Sequence, residues 1–284
     1  MTLPVERALR AMAASIPDAV ANSAVAIVGA NRPTVRQFGS GTLVAVADRR
    51  FVVTAAHVVR DARNAKSTVG IAVAGDDYFI ATPETWIVSH GDSFDLAICP
   101  LDQSQSERLA KSTFVRIGDV SFQADLSRGF FVVFGYPSIW STQSTDSHDV
   151  MQLRALQYST YAHGGDTAAL AGYDSRYHLL LDARPEQMFD ASGATMRFTT
   201  RSGYSARMPD DLRGISGCGV WMIGDLTASC EKWRADQARL VGVETGVFTG
   251  RAAAIKATRW NAVMTLMHEA FADLRSTIRL YMDT

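Results

Sequence analysis

Cysteine is scarce in this 284-residue chain, which has only three: Cys99, Cys218 and Cys230. Three cysteines cannot pair completely, so we do not expect a framework of disulfides to hold the fold together. Cys99 and Cys218 stand in apolar runs, where a thiol usually serves as a small buried hydrophobic group. This sparse usage favours a reducing compartment, and we predict a cytoplasmic location.

Neither sign of charge predominates, because 28 Lys and Arg residues face 29 Asp and Glu residues and leave a net charge of −1. This balance argues against a nucleic-acid-binding surface built from basic residues, so no nucleic acid partner is predicted.

Long hydrophobic runs are missing too. No apolar stretch approaches the roughly 18 residues of a membrane span, so no membrane partner is predicted.

The first 22 residues lack the compact apolar segment that precedes the cleavage site of a secretory signal. Residues 4–16 instead have apolar positions three and four residues apart, which predicts a helix. Pro17 should end it, because the residue before a proline is pushed out of the α region. We interpret residues 1–22 as an N-terminal helical extension on the outside of the fold, with a regulatory or partner-binding arm as the alternative.

From residue 23 the helical period gives way to short runs rich in valine, alanine and threonine, which glycines and polar turns separate. About seven such runs in residues 23–101 have the spacing of an all-β barrel or sandwich. The polar segment 102–112 is predicted to link this first barrel to a second one over residues 113–257. Residues 258–284 contain apolar positions three and four apart and predict a C-terminal helix.

Three short motifs carry the residues of chemical interest. Ser216 stands at the apex of a small-residue loop that runs into an apolar strand, and glycines let the N–H groups of such a loop converge on one point. His57 lies in a small-residue turn after an apolar strand, and Asp95 opens another apolar strand. The order along the chain is therefore His, Asp, Ser, which is the chymotrypsin order and not that of α/β-hydrolases.

At Thr54-Ala55-Ala56-His57, Asp95-Leu96-Ala97 and Gly214-Ile215-Ser216-Gly217 the sequence resembles the chymotrypsin-like (trypsin-like) serine protease family. The resemblance covers about residues 23–257. It implies an all-β fold of two six-stranded antiparallel barrels with N- and C-terminal helices, the first barrel carrying His57 and Asp95 and the second Ser216. It also implies a serine endopeptidase that acts on protein or peptide substrates and needs no cofactor.

By this resemblance Ser216 is the nucleophile, His57 the general base and Asp95 the carboxylate that orients the imidazole. The backbone N–H groups of Gly214 and Ser216 would form the oxyanion hole. A metal cluster of His90, Asp92 and Asp95 is the alternative for the acidic segment. No second His or Cys group at ligand spacing supports it, so no metal site is predicted.

The sequence departs from the family pattern at two places. Ile215 precedes the nucleophile, where trypsin-like zymogens carry an aspartate that pairs with a newly cut N-terminus. Isoleucine cannot form that ion pair, so we predict that activity does not depend on N-terminal cleavage, as in bacterial-type intracellular members. Cys218-Gly219 replaces the usual Gly-Pro, and because both residues are small we expect the loop to keep its conformation.

The resemblance places the substrate pocket beside Thr245, Gly246 and Val247 and just before Ser216. Counting back without gaps puts Asp210 at its base, which would favour Arg or Lys at P1, the substrate residue before the cleaved bond. Val247 and Phe248 favour a small or apolar pocket instead. The sequence leaves both interpretations open.

Two other functions compete with an active endopeptidase. One is a protease-shaped binding or regulatory module whose latent site opens when a protein activator docks on the N-terminal helix or on the loops at 138–176. The other is an esterase or related acyl hydrolase that uses the same three residues.

Overall fold

The computed structural model describes residues 18–31, 34–73, 79–91, 94–123, 125–143, 151–167, 170–183, 198–199, 205–206, 212–225, 235–249 and 253–282. The helix predicted over residues 4–16 and Cys230 lie outside them. The first described element is the short helix α1 (Asp18–Asn22), and the chain enters the first sheet directly after it.

Eight strands form the first sheet, and alternating small and branched apolar residues build it. They are β1 (Ala24–Asn31), β2 (Thr34–Val46), β3 (Arg49–Ala55), β4 (Thr68–Ala72), β5 (Phe79–Ala81), β6 (Ile87–Val88), β7 (Leu96–Leu101) and β8 (Val115–Arg116). The antiparallel order is β5-β4-β1-β2-β3-β7-β6, with β8 paired in parallel to β2. The count of eight exceeds the six strands that the resemblance implies, and three of the eight have only two or three residues.

Strand β1 is buried on both faces, as its continuous apolar sequence predicts. Successive side chains of a strand point to opposite faces. Ala26 and Val28 accordingly join one apolar cluster, while Val25 and Ile27 join another. The helix α2 (Ala56–Asn64) follows β3 and covers the second of these clusters with Val58 and Val59.

Six strands form the second sheet, in the antiparallel order β12-β9-β16-β17-β18-β13. They are β9 (Gly129–Gly135), β12 (Leu156–Tyr161), β13 (His178–Asp182), β16 (Gly219–Asp225), β17 (Arg239–Phe248) and β18 (Ala254–Arg259). A single antiparallel bridge between Ala162 and Leu181 brings the two edge strands together. Two small hairpins accompany the sheet: β10 (Thr142–Gln143) with β11 (Met151–Gln152), and β14 (Phe198–Thr199) with β15 (Ser205–Ala206).

The largest apolar cluster joins the two sheets and the C-terminal helices into one core. It contains Phe51 of the first sheet, Phe130 and Trp221 of the second and Trp260 of the closing helix, all of them buried. This arrangement confirms the all-β class. Among the described residues, no helix combines the length and the apolar character that crossing a membrane would require.

The segment predicted to link the barrels contains the helix α3 (Gln103–Arg108). Its first turn is fixed by a capping box. The Asp102 carboxylate accepts the Gln105 N–H at 2.8 Å, and the Gln105 side-chain oxygen accepts the Asp102 N–H at 2.9 Å. Two of the polar residues of this segment thus cap a helix.

The C-terminal helix is interrupted. The structure has α4 (Trp260–Ala270), a turn of 3₁₀ helix (Ala272–Leu274) and α5 (Arg275–Met282). At the break, Phe271 leaves the helical conformation with φ −122°, and its buried ring packs 5.1 Å from that of Phe51. The apolar spacing of the sequence continues through this point, so tertiary packing on the first sheet accounts for the break.

Candidate active site

His57 and Asp95 lie side by side at the start of α2. The N-cap residue of this helix, Ala55, offers no side-chain acceptor, and the Asp95 carboxylate takes over that role. Its Oδ1 accepts the backbone N–H of His57 at 2.9 Å, and its Oδ2 lies 2.5 Å from the ring Nδ1. The pairing of β3 with β7 brings the two together, because each residue follows or precedes a paired strand end.

The conformation of Asp95 is unusual for a residue other than glycine, with φ +49°. Aspartate tolerates this left-handed region better than most residues. The Asp95 carbonyl accepts the Ala56 N–H at 2.8 Å, which holds the backbone in place. The Arg60 guanidinium, about half exposed, adds a third donor to the carboxylate at 3.2 Å. The carboxylate is thus fixed on several sides.

The environment of His57 favours its protonated form. Burial alone lowers the pKa of His57, but the hydrogen bond and charge of Asp95 outweigh it, with smaller contributions from Glu244 and Asp61. The net effect is a pKa raised above the ordinary value for histidine. An imidazole held in this way accepts a proton on Nε2 more readily than a free one, because Asp95 stabilises the resulting cation.

Ser216 occupies a turn that only glycines on either side permit. Gly214 has φ +98° and Gly217 has φ +94°. A Cβ on Gly217 would lie 2.0 Å from the Thr54 hydroxyl oxygen. The loop is pinned to the first sheet, because the Ser216 carbonyl accepts the Ser40 N–H at 2.8 Å. This loop (residues 214–217), which carries the proposed nucleophile and is called the nucleophile loop below, is therefore bonded to both sheets, since the Gly217 N–H donates to the carbonyl of Glu244 on β17 at 2.8 Å.

The peptide between Arg213 and Gly214 has a fixed orientation. Its carbonyl accepts the backbone N–H of Ser138 at 2.7 Å and the Ser138 hydroxyl at 3.0 Å. In a trans peptide the N–H points opposite to the carbonyl, so the Gly214 N–H faces away from Ser138. Within the described residues neither the Gly214 N–H nor the Ser216 N–H donates a hydrogen bond. Both groups are open to a developing oxyanion.

The buried Ser40 hydroxyl fixes the carbonyl group of Gly214. It donates to the Gly214 carbonyl at 2.7 Å and accepts the Tyr136 N–H at 2.8 Å. One hydroxyl of strand β2 thereby joins the nucleophile loop to the end of β9. Nothing in the sequence pattern around Ser40 marks it for this role, because the link is made only by the packing of the two sheets.

His57, Gly214 and Ser216 line one cleft of about 740 Å³. Its other walls come from the β1–β2 hairpin, helix α2 and the segment after β9; they include Gln37, Phe38, Asp61, Ser138, Ser141, Met151 and Arg213. In the described part of the chain no hydrogen bond joins the Ser216 hydroxyl to the His57 ring. In unliganded enzymes this contact is often long and tightens when substrate binds.

Glu244 is a site residue that the sequence motifs did not reveal. It lies on β17, where its carbonyl accepts the Gly217 N–H at 2.8 Å, and 0% of its surface is exposed. Within the described residues neither of its carboxylate oxygens has a hydrogen-bond partner. Burial raises the pKa of Glu244 to about 7, although the positive charge of His57 and the nearby Ser216 hydroxyl oppose the shift.

The predicted pocket residues follow Glu244 on β17. Thr245 is buried, and its hydroxyl lies 3.1 Å from that of Thr258, which donates to the Phe94 carbonyl at 2.7 Å. Gly246 and Val247 continue the strand, with Val247 partly exposed. None of the three lines the cleft that contains Ser216. Asp210 lies outside the described residues, so the choice between a basic and an apolar P1 stays a prediction.

The described residues contain no group of three or more His, Cys, Asp and Glu side chains that could hold a metal ion. Asp92, one member of the alternative cluster, lies outside them. His90 is exposed.

A family model described as trypsin-like peptidase domain matches residues 39–187 of the chain, a segment that includes His57 and Asp95. Among curated protein sequences, none is similar enough to count as a relative.

Solved structures of serine proteases are similar to the whole fold. A thermostable serine protease, AL20, from an extremophilic microorganism has a TM-score of 0.51 and 11% identity, over 90% of this chain and 99% of that one. The serine endoprotease from Yersinia pestis has a TM-score of 0.50 and 13% identity, over 96% of this chain and 68% of that one. A Glu endopeptidase has a TM-score of 0.50 and 14% identity, over 89% and 91%. These similarities confirm the chymotrypsin type of fold.

Proposed function

The chain belongs to the trypsin-like peptidase domain family, and from this premise we propose that it is a serine endopeptidase whose catalytic residues are Ser216, His57 and Asp95. The observation that carries the proposal is the double contact of Asp95 with the backbone and ring of His57. His57 and Ser216 also line one cleft. Peptide hydrolysis through a serine needs these three groups within reach of one another.

The proposed reaction begins when the Ser216 oxygen attacks the carbonyl carbon of the substrate peptide. Its proton passes to His57 Nε2, and the carbonyl oxygen takes up the negative charge. The C–N bond then breaks, and His57 returns the proton to the leaving amine. Water repeats the sequence on the acyl-enzyme, which releases the acid and restores Ser216.

Asp95 orients the ring so that Nδ1 keeps its proton and Nε2 faces the nucleophile. The N–H groups of Gly214 and Ser216 stabilise the oxyanion. Their lack of partners among the described residues supports this role, because a preorganised donor spends nothing on reorientation as charge develops. Each such donor is worth about 3–4 kcal/mol of transition-state stabilisation in a related case.

The enzyme is proposed to need no N-terminal cleavage. Ile215 is completely buried in an apolar cluster with Phe131 and Val220. An ammonium group placed there would lose its hydration and gain no partner. Comparing the activity of the intact chain with that of a version cut within its first residues tests this point, and activity that appears only after the cut contradicts it.

Proteins or peptides are the proposed substrates. Incubation of the chain with a peptide library at about pH 7, followed by mass spectrometry, should give internal cleavage products with the wild type and none with Ser216→Ala. The residues before the cut then decide between a basic and an apolar P1. Hydrolysis of simple esters alone, with no peptide cut, would favour the esterase.

A latent, partner-opened site is the second candidate. It is favoured by the missing hydrogen bond between Ser216 and His57 in the described structure and by the unpartnered carboxylate of Glu244. A protein activator would then dock on the N-terminal helix or the loops at 138–176. If this is correct, the purified chain leaves the peptide library uncut, and adding an extract of the source cells gives cleavage products with the wild type that are missing when Ser216→Ala is added to the same extract.

We also propose a cytoplasmic location. Cys99 and Cys218 are both buried free thiols, and burial raises the pKa of Cys99 to about 12, so neither is poised to form a disulfide. Cell fractionation with an antibody to the chain tests the location.

A further inference from the structure

Glu244 is a fully buried acid whose carboxylate has no hydrogen-bond partner in the described part of the chain. An ionised carboxylate in such a place is costly, and an unsatisfied buried group in a folded protein calls for an explanation. The position of Glu244 in the fold suggests an explanation, because its backbone is hydrogen-bonded to the loop that carries Ser216.

Two backbone hydrogen bonds place Glu244 against this loop. Its carbonyl accepts the Gly217 N–H at 2.8 Å, and its own N–H donates to the Cys218 carbonyl at 2.9 Å. These two bonds hold the backbone of Glu244 beside the residues that directly follow Ser216. The Ser216 hydroxyl and the Gly246 N–H are close enough to favour the anion, yet neither forms a hydrogen bond of good geometry with it.

The charged and titratable groups around Glu244 come from several elements. His57 on α2 favours its ionisation, while Asp95 ahead of β7 opposes it. Cys218 also interacts with it through charge: burial keeps the pKa of its thiol well above the usual value, and the charge of Glu244 raises it further. The Arg60 guanidinium contacts Asp95. Together with burial, these effects raise the pKa of Glu244 to about 7, so its carboxyl group gains or loses its proton near neutral pH.

We propose that Glu244 is a positioning residue that determines whether the Ser216 hydroxyl is available to His57. As an anion it accepts the Ser216 O–H and holds the hydroxyl away from the imidazole. As a neutral acid it donates its own proton to the Ser216 oxygen and leaves the Ser216 O–H free to face His57. The only bond that breaks or forms is the Glu244 O–H bond, whose proton exchanges with solvent, and this proton decides between the two hydrogen-bond arrangements.

This role of Glu244 rests on the proposed function, and it confines the reactivity of Ser216 to a narrow pH range. At low pH His57 is protonated and cannot accept the Ser216 proton. At high pH Glu244 is ionised and competes for the hydroxyl. Reactivity of Ser216 therefore passes through a maximum near neutral pH, and the decline on the alkaline side belongs to Glu244.

The experiment measures the rate at which a fluorophosphonate probe labels the full chain between about pH 5.5 and 9.5. Wild type should lose reactivity above about pH 7, whereas Glu244→Gln, which cannot ionise, should keep it. In wild type the charge-assisted hydrogen bond between the Glu244 anion and the Ser216 hydroxyl must break before labelling. The variant should therefore be labelled about tenfold faster than wild type at about pH 9, with little difference at about pH 5.5. Glu107→Gln, an exposed carboxylate on α3, is the matched control and should follow wild type.

Identical pH profiles for wild type and Glu244→Gln overturn the proposal while leaving the proposed function intact. A wild type that stays fully reactive up to about pH 9.5 overturns it without any variant. Absence of labelling in both proteins at every pH overturns the proposal together with the proposed function. If thermal melting shows that Glu244→Gln is unfolded, Glu244→Val replaces it in the same comparison.

Discussion

The Asp95 carboxylate holds His57 at two points: Oδ1 binds its backbone N–H at 2.9 Å, and Oδ2 lies 2.5 Å from its ring Nδ1. One side chain thus caps helix α2 and fixes the imidazole on it. The local fold and the proposed chemistry depend on the same carboxylate.

Asp95→Asn should therefore lower kcat by about 10⁴ with a small loss of stability, because an amide can favour the wrong tautomer of His57 while keeping an oxygen for the helix. Peptide cleavage rates and thermal melting measure the two effects. Arg60→Gln is the matched control. Its half-exposed ion pair should be worth only about 0–1 kcal/mol. Retention of more than about a tenth of wild-type kcat in Asp95→Asn would refute the assigned role.

Ser40→Ala should reduce both stability and activity. It removes two buried hydrogen bonds, one to the Gly214 carbonyl and one from the Tyr136 N–H, which at about 0.5–1.5 kcal/mol each cost about 1–3 kcal/mol. The Gly214 carbonyl keeps only the longer contact with Gln37 Nε2 at 3.3 Å. Denaturant unfolding measures the loss, and a lower kcat reports the displaced Gly214.

Thr42→Val, two positions along the same strand, is the control for Ser40→Ala. The Thr42 hydroxyl is buried and has no partner among the residues that the structure describes, so its removal should leave the free energy of unfolding unchanged or higher. Equal losses in the two variants would show that the Ser40 hydrogen bonds contribute nothing specific.

Glu244→Gln should change how stability depends on pH. The pKa of Glu244 rises from 4.5 to about 7 on folding, so the folded state binds the proton more tightly. This contribution to stability is fully present below about pH 4.5 and is lost as the pH rises through about 7, by roughly 3 kcal/mol in all. The variant has no such group to ionise. In denaturant unfolding, the free energy of unfolding of Glu244→Gln minus that of wild type should therefore increase between about pH 5 and 8. A difference that does not vary with pH would mean that Glu244 keeps an ordinary pKa.

The sequence was enough to predict the all-β class and to bring out His57, Asp95 and Ser216, because each stands in a short local motif at a strand end. The structure confirms the class and places His57 against Asp95. The carboxylate of Glu244 could not be found in this way, since one acid within an alternating strand is typical of a solvent-facing position. Only the packing of β17 behind the nucleophile loop shows that it is buried.

The same limit applies to Ser40, Ser138 and the break at Phe271. Ser40 donates to the Gly214 carbonyl and Ser138 to the Arg213 carbonyl across long stretches of sequence, and no spacing rule predicts either bond. The helical pattern continues through Phe271 because apolar spacing does not report which partner a side chain finds. Residues that stand in a local motif were predictable, and residues whose role comes only from the packing of distant segments were not.

The most direct test of the central claim is to label the protein with a fluorophosphonate probe at about pH 7 and to locate the adduct by mass spectrometry. The account predicts one adduct on the wild type, at Ser216, with none on Ser216→Ala and labelling slowed by orders of magnitude in His57→Ala. An adduct on Ser216→Ala, or a His57→Ala variant labelled as fast as wild type, would contradict it.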